Sequence, residues 1–279
     1  MNTHLLLIDP QNDFCDLPAE WLPRSPVSGE AIRPALPVAG AHADMHRAAQ
    51  LVARLGDHLN AITVTLDSHH RIDIAHPGFW RDASGSHPPP FTPITADQVR
   101  GGDFTPRDPD MRSRALAYLD ALEATGRYTL MIWPVHCQMG SWGHDVHAAL
   151  QAALDAWADA QGRSVAIVTK GENPWTEHYS ALQAEVPDVS DERTELNQSL
   201  LKELDRFDRV LIAGEAGSHC VRATVEHLAE HLPSQKLGKL VLLTDCISPV
   251  AGFEAQQADF FGAMKAKGLQ LALSTEIQA

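Results

Sequence analysis

The stretch "RVLIAGEAGSHCVRAT" (Arg209 to Thr224) decides the fold. Its first half, "RVLIAGE" (209–215), is almost continuously apolar rather than alternating, the pattern of a strand buried on both faces of a parallel sheet. The chain then turns through Ala216, Gly217 and Ser218 into a helical pattern over 219–231, so Cys220 falls at a strand-to-helix turn. Runs of the same kind recur at "HLLLID" (4–9), "AITVTLD" (61–67), "YTLMIW" (128–133), "SVAIVTK" (164–170) and "KLVLLTD" (239–245).

Between these runs lie helical patterns. Residues 41–56 set Met45, Ala48, Ala49, Val52 and Leu55 on one stripe and end on a glycine; 144–161 stop before Gly162, and 253–267 follow the last run. Alternating strand and helix predicts an α/β fold: a three-layer α-β-α sandwich with a mostly parallel, doubly wound sheet. Residues 77–112 break the rhythm with a Pro/Gly-rich stretch containing "SHPPPFTP". A segment of this length reads as a lid, an excursion, an oligomer contact or a tolerated surface insertion. Neither a repeat nor a linker divides the chain, and one domain over 1–279 is expected.

A net charge of −14 without a basic run argues against nucleic acid and anionic membranes as partners. The start "MNTHLLLIDPQNDF" has neither the basic opening nor the long apolar stretch of a secretory signal, and no segment has transmembrane length. The expectation is a cytoplasmic protein with Cys15, Cys137, Cys220 and Cys246 reduced; without a Cys-x-x-Cys pair, a four-cysteine zinc site is disfavoured. An acidic monomer and a homo-oligomer are both consistent with the sequence.

Ligands of open parallel sheets bind beyond the carboxyl ends of the strands. Asp9, Asp67, Lys170 and Cys220 end or follow four of the runs, His69 lies just past Asp67, and His136 follows the run ending at Trp133. Singly, each has an ordinary reading: a helix cap, a solvated lysine, a small buried thiol, a hydrogen-bonded loop histidine. Together they suggest chemistry. A thiolate at Cys220 would face a helix N-terminus, which together with Lys170 is expected to lower its pKa, and Asp9 could accept and return its proton. Asp67 and His69, two apart on an extended segment, share a side; with His136 they would leave coordination positions open for water or substrate. One carboxylate and two imidazoles suit a divalent metal, with zinc favoured and iron or manganese as alternatives.

In order, "LLLIDPQNDFC", "TLDSHH", "WPVHC.MG", "VTKG" and "AGSHCVRAT" resemble the nicotinamidase branch of the isochorismatase-like cysteine hydrolases, over residues 4 to about 250 outside 77–112. The resemblance implies a catalytic triad of Asp9, Lys170 and Cys220, and metal ligands Asp67, His69 and His136. It also implies aromatic walls for a pyridine ring at Phe14 and Trp133. A cis peptide at Glu215–Ala216 would set the amides of Ala216 and Cys220 as an oxyanion hole. Many nicotinamidases place a histidine four residues beyond the D-x-H pair, where this chain has Asp73; His76 is then the candidate further ligand. "GSHC" stands where "TDHC" or "TDYC" is usual, and His219 is read as support for the turn. The implied activity is amidohydrolysis of a heteroaromatic carboxamide, nicotinamide first, through a cysteine thioester. The alternatives are a related cysteine hydrolase of another small amide or ureide, and a non-catalytic small-molecule binder on the same scaffold.

Overall fold

A computed structural model describes residues 1–278. Its strands are β1 (Thr3–Ile8), β2 (Ala61–Asp67), β3 (Trp80–Asp82), β4 (Thr92–Ile94), β5 (Phe104–Pro106), β6 (Leu130–Ile132), β7 (Ala166–Lys170), β8 (Arg209–Gly214), β9 (Leu240–Leu243) and β10 (Gln270–Ala272). The helices are α1 (Ala41–Leu55), α2 (Ala96–Gly101), α3 (Arg112–Thr125), α4 (Ala148–Gln161), α5 (Gln198–Asp205), α6 (Cys220–His231) and α7 (Glu254–Ala266). Six strands form one sheet in the order β10-β9-β8-β1-β2-β7, with every neighbouring pair parallel. Helices flank it in the expected three-layer α-β-α sandwich. No helix among the described residues is long and apolar enough to cross a membrane.

The centre of the sheet follows the apolar runs. Every residue of β1 is buried, and so are Val210 to Ala213 of β8 and all of β9. In α1, Met45, Ala48, Val52 and Leu55 are buried as predicted, joined by Ala41 and Leu51, while Ala49 is only half-buried. The β1–β8 approach is unusually close. Gly214 has φ +120°, and a Cβ there would lie 1.9 Å from the Ile8 carbonyl oxygen, so only glycine lets the two strand ends meet.

Three expectations need correction. The run at 128–133 is outside the main sheet: its β6 pairs antiparallel with β4, Thr92 opposite Ile132 and Ile94 opposite Leu130. Leu130 and Ile132 are buried, and an apolar run reports burial without specifying the partner strand. The sixth strand of the sheet is instead β10, whose three residues carry no apolar run. Third, β7 is an edge strand with Ala166, Ile167 and Thr169 exposed, so it is not covered on both faces. The 77–112 segment has secondary structure of its own. It folds into the β3–β5 ribbon, β4 and α2, and sends Phe79, Trp80, Ile94 and Val99 into the core.

Candidate active site

Four strand ends at one edge of the sheet build the site. Asp67 and Lys170 are the last residues of β2 and β7 and stand opposite each other in register. Asp9 follows β1 with φ +45°, a left-handed geometry that aspartate tolerates better than most side chains. Beyond β8 the Glu215–Ala216 peptide is cis, as the resemblance implied, and Cys220 is the first residue of α6.

These placements bring Asp9, Lys170 and Cys220 together in the interior. The Lys170 ammonium lies 2.9 Å from Asp9 Oδ2, an ion pair not aligned as a hydrogen bond, and donates to Cys220 Sγ at 3.6 Å. Thr65 Oγ1 donates to Asp9 Oδ1 at 2.5 Å and orients the carboxylate. Burial disfavours the Lys170 charge, but Asp67, Asp9 and Cys220 outweigh it and raise the pKa well above the ordinary lysine value. Burial also pushes the Asp9 carboxyl up, against the pull of Lys170. For Cys220, burial pushes the thiol well up; Lys170 pulls it down and Asp9 pushes it up again. The expected lowering is therefore reversed, because the strand-to-helix turn that aims the sulfur at a helix N-terminus also removes it from water.

Asp67 links this trio to a histidine cluster. Its Oδ1 accepts from Lys170 at 2.8 Å; its Oδ2 faces His69 Nε2 at 3.1 Å and His136 Nε2 at 3.3 Å. His76 joins, its Nε2 3.3 Å from His136 Nδ1, and one nitrogen from each of His69, His76 and His136 lies within 4.8 Å of the others. Asp73 is placed behind His69, its Oδ2 3.0 Å from Nδ1, the way carboxylates orient metal-bound imidazoles. Burial disfavours a charged His69, but Asp67 and Asp73 reverse this and raise its pKa well above the usual range. Two carboxylates thus converge on one buried point from opposite sides of a ring. This donor set calls for positive charge: His69, His76 and His136 could hold a metal ion, with the Asp67 carboxylate beside His69 and His136.

Phe14, Trp133, Asp67, His136, Ala216 and Cys220 line one cavity, together with Leu36, Glu177, Tyr179, His219 and Val250. Phe14, Trp133, Ala216 and Cys220 line this cavity; Lys170 contacts Cys220 and Asp67 of its lining, and Asp9 joins through Lys170. The segment after β1 explains the convergence. Gln11 donates to the Asp67 carbonyl at 2.8 Å and accepts from the Asp67 amide at 2.8 Å. Asp13 Oδ2 accepts from the Cys137 amide at 2.7 Å, fixing the loop that carries His136. Cys137 therefore contributes a backbone amide while its own thiol is buried.

No family model and no curated protein matches this sequence, but solved structures resemble its fold. The chain is similar to the nicotinamidase/pyrazinamidase of Acinetobacter baumanii, with 18% identity and a TM-score of 0.63 over 99% of this chain and 98% of that one. The yeast nicotinamidase gives 20% identity and a TM-score of 0.62 over 97% and 99%. The Pyrococcus horikoshii pyrazinamidase, solved in complex with zinc, gives 18% and 0.53 over 98% and 99%. The chain shares the fold of these nicotinamidases and pyrazinamidases.

Within that fold, Glu177 and Tyr179 are cavity residues that escaped the sequence reading, and His219 does more than was read for it. Glu177 is buried, burial raises its carboxyl pKa, and its Oε2 has no hydrogen-bond partner. Tyr179 accepts from Trp133 Nε1 at 3.1 Å and so fixes the indole. His219 does brace the turn, through Ser218 Oγ at 2.8 Å, but it also packs edge-on against Trp133 and Phe253. Glu177 and Tyr179 lie in "GENPWTEHYS", a stretch without strand or helix periodicity, so no pattern placed them.

Proposed function

We propose that this protein is an amidohydrolase that cleaves a heteroaromatic carboxamide, nicotinamide to nicotinate and ammonia. The supporting observation is the meeting of Asp9, Lys170 and Cys220 within 2.9 to 3.6 Å of the shared ammonium, with the sulfur at a cavity that Phe14, Trp133 and the Asp67–His136 pair also line. Phe14 and Trp133 hold the flat ring and exclude water from the sulfur. Asp9 takes the Cys220 proton as the sulfur attacks the amide carbon, and Lys170 offsets the negative charge on both. The amides of Ala216 and Cys220 receive the oxyanion, each donor worth about 3 kcal/mol of barrier by analogy with other hydrolases. Asp9 then protonates the departing ammonia and activates the water that cleaves the thioester.

Asp67, His69 and His136 would hold a divalent cation, with zinc first because one neighbour of this fold was solved with it. The cation supplies a Lewis-acidic seat for a ring nitrogen. Ammonia release from nicotinamide by the purified protein, abolished by chelation and restored by zinc, is the expected result. Release only from linear amides or ureides would move the assignment to a related hydrolase. No release from any amide, with Cys220 inert to alkylation near neutral pH, would leave a binding protein.

A further inference from the structure

A second group of imidazoles lies away from the cavity. His42 and His46 are four residues apart on α1 and therefore share a face, the spacing by which helices present two imidazoles to one ion. His147, the residue preceding α4, meets them where α1 packs against α4. One nitrogen from each lies within 4.8 Å of the others, and His42 Nδ1 is 2.9 Å from His147 Nε2. We propose that His42, His46 and His147 form a second metal site, for a zinc-class divalent cation, that fastens α1 to α4.

Three features favour an ion over a chance cluster. Two neutral imidazoles facing at 2.9 Å can share only one proton, which leaves the lone pair of His46 outside the arrangement. A cation takes all three lone pairs at once. His147 is also fully buried, which fixes its ring at the cluster with Nε2 facing His42. Neither nearby carboxylate joins the cluster: Asp16 accepts from the backbone amides of Gly40 and His42 at 2.8 Å each and caps α1, and Glu20 is not among the grouped donors. The donor set is thus three nitrogens, which selects zinc, cobalt, nickel or copper over magnesium or calcium.

Access and support are both present. His42 and His46 are half-exposed, so an ion can enter and a fourth position stays open to water. Trp21 stacks on His147 with ring centroids 5.1 Å apart and meets His42 and His46 edge-on, restricting all three rings. The backbone amide of His147 donates to the Pro10 carbonyl at 2.9 Å, directly after Asp9. An ion here therefore braces the segment that carries Asp9 and Phe14 without touching the cavity.

The test is metal stoichiometry. Chelated protein is dialysed against zinc or cobalt, and ions per chain are counted by mass spectrometry. The wild type is expected to hold two ions. His46→Gln and the double variant His42→Ala/His46→Ala should hold one fewer, with folded circular dichroism. His46→Gln changes a half-exposed side chain, so loss of the ion there cannot be ascribed to unfolding. Equal stoichiometry in the wild type and both variants overturns the site. Asp67→Asn separates it from the cavity metal: an ion lost with His46→Gln but kept with Asp67→Asn belongs to this site even if the cavity binds none.

Discussion

At the scale of single residues, the site turns on Lys170. Its ammonium compensates two buried carboxylates, Asp9 and Asp67, and touches the sulfur. Removing it leaves both anions without a cation in the interior, and breaking a buried pair of this kind costs about 3–5 kcal/mol. Cys220, by contrast, is a small thiol whose loss deletes one sulfur. Lys170→Ala is therefore expected to lose both turnover and about 3–5 kcal/mol of stability in urea unfolding, whereas Cys220→Ala loses turnover with a nearly unchanged midpoint. Equal stability of the two variants would contradict the reading of Lys170 as a buried counter-ion. The residues bearing this chemistry were legible because strand ends at the carboxyl edge of a parallel sheet are where ligands collect. The direction of the Cys220 pKa was not, because burial of the sulfur depends on what packs around it.

At the scale of elements, the approach of β8 to β1 aligns the turn bearing Cys220 with Asp9. Gly214 permits it by lacking a Cβ where the Ile8 carbonyl lies. Gly214→Ala must either shift the strand ends or adopt φ +120° with a side chain, and strain of this kind costs about 1–3 kcal/mol before any clash is counted. The variant is expected to lower the unfolding midpoint and to lose activity more steeply than stability, as ammonia release and circular dichroism together would show. A wild-type midpoint with full turnover would mean that the close approach is dispensable. Of the main-sheet strands, five were marked by apolar runs; β10 escaped because an edge strand of three residues needs no such run. The strand ending before Trp133 was legible as a buried strand, but its partner β4 came from the Pro-rich segment, whose composition suggested loop.

At the scale of the molecule, two sets of buried groups oppose each other as pH changes. Burial lowers the pKa of His4 to about 4. Folding therefore keeps this ring neutral, and stability present above the unfolded value near 6.5 is lost as pH falls toward 4. Burial raises Glu185 to about 7, partly countered by Arg127. Its contribution is fully present below the ordinary value near 4.5 and is lost as pH rises through 7. Each variant measured against the wild type isolates one sign. His4→Gln should gain on the wild type as pH drops from 6.5 to 4, and Glu185→Gln should gain as pH rises from 4.5 to 7. Each trend is expected at up to about 1.4 kcal/mol per pH unit in urea unfolding. Stability differences that stay flat across these windows would refute the assignments.

The chain by itself determined the α/β class, most of the parallel core and the identity of the residues that gather at its edge, because apolar runs and strand-terminal polar groups are local patterns. Only the tertiary structure decided that His76 meets His136, that the sulfur of Cys220 is shielded from water, and that His147 meets His42 and His46 where α1 packs against α4. Those facts are distances between segments far apart in the chain, set by how the layers pack, and no local pattern encodes them.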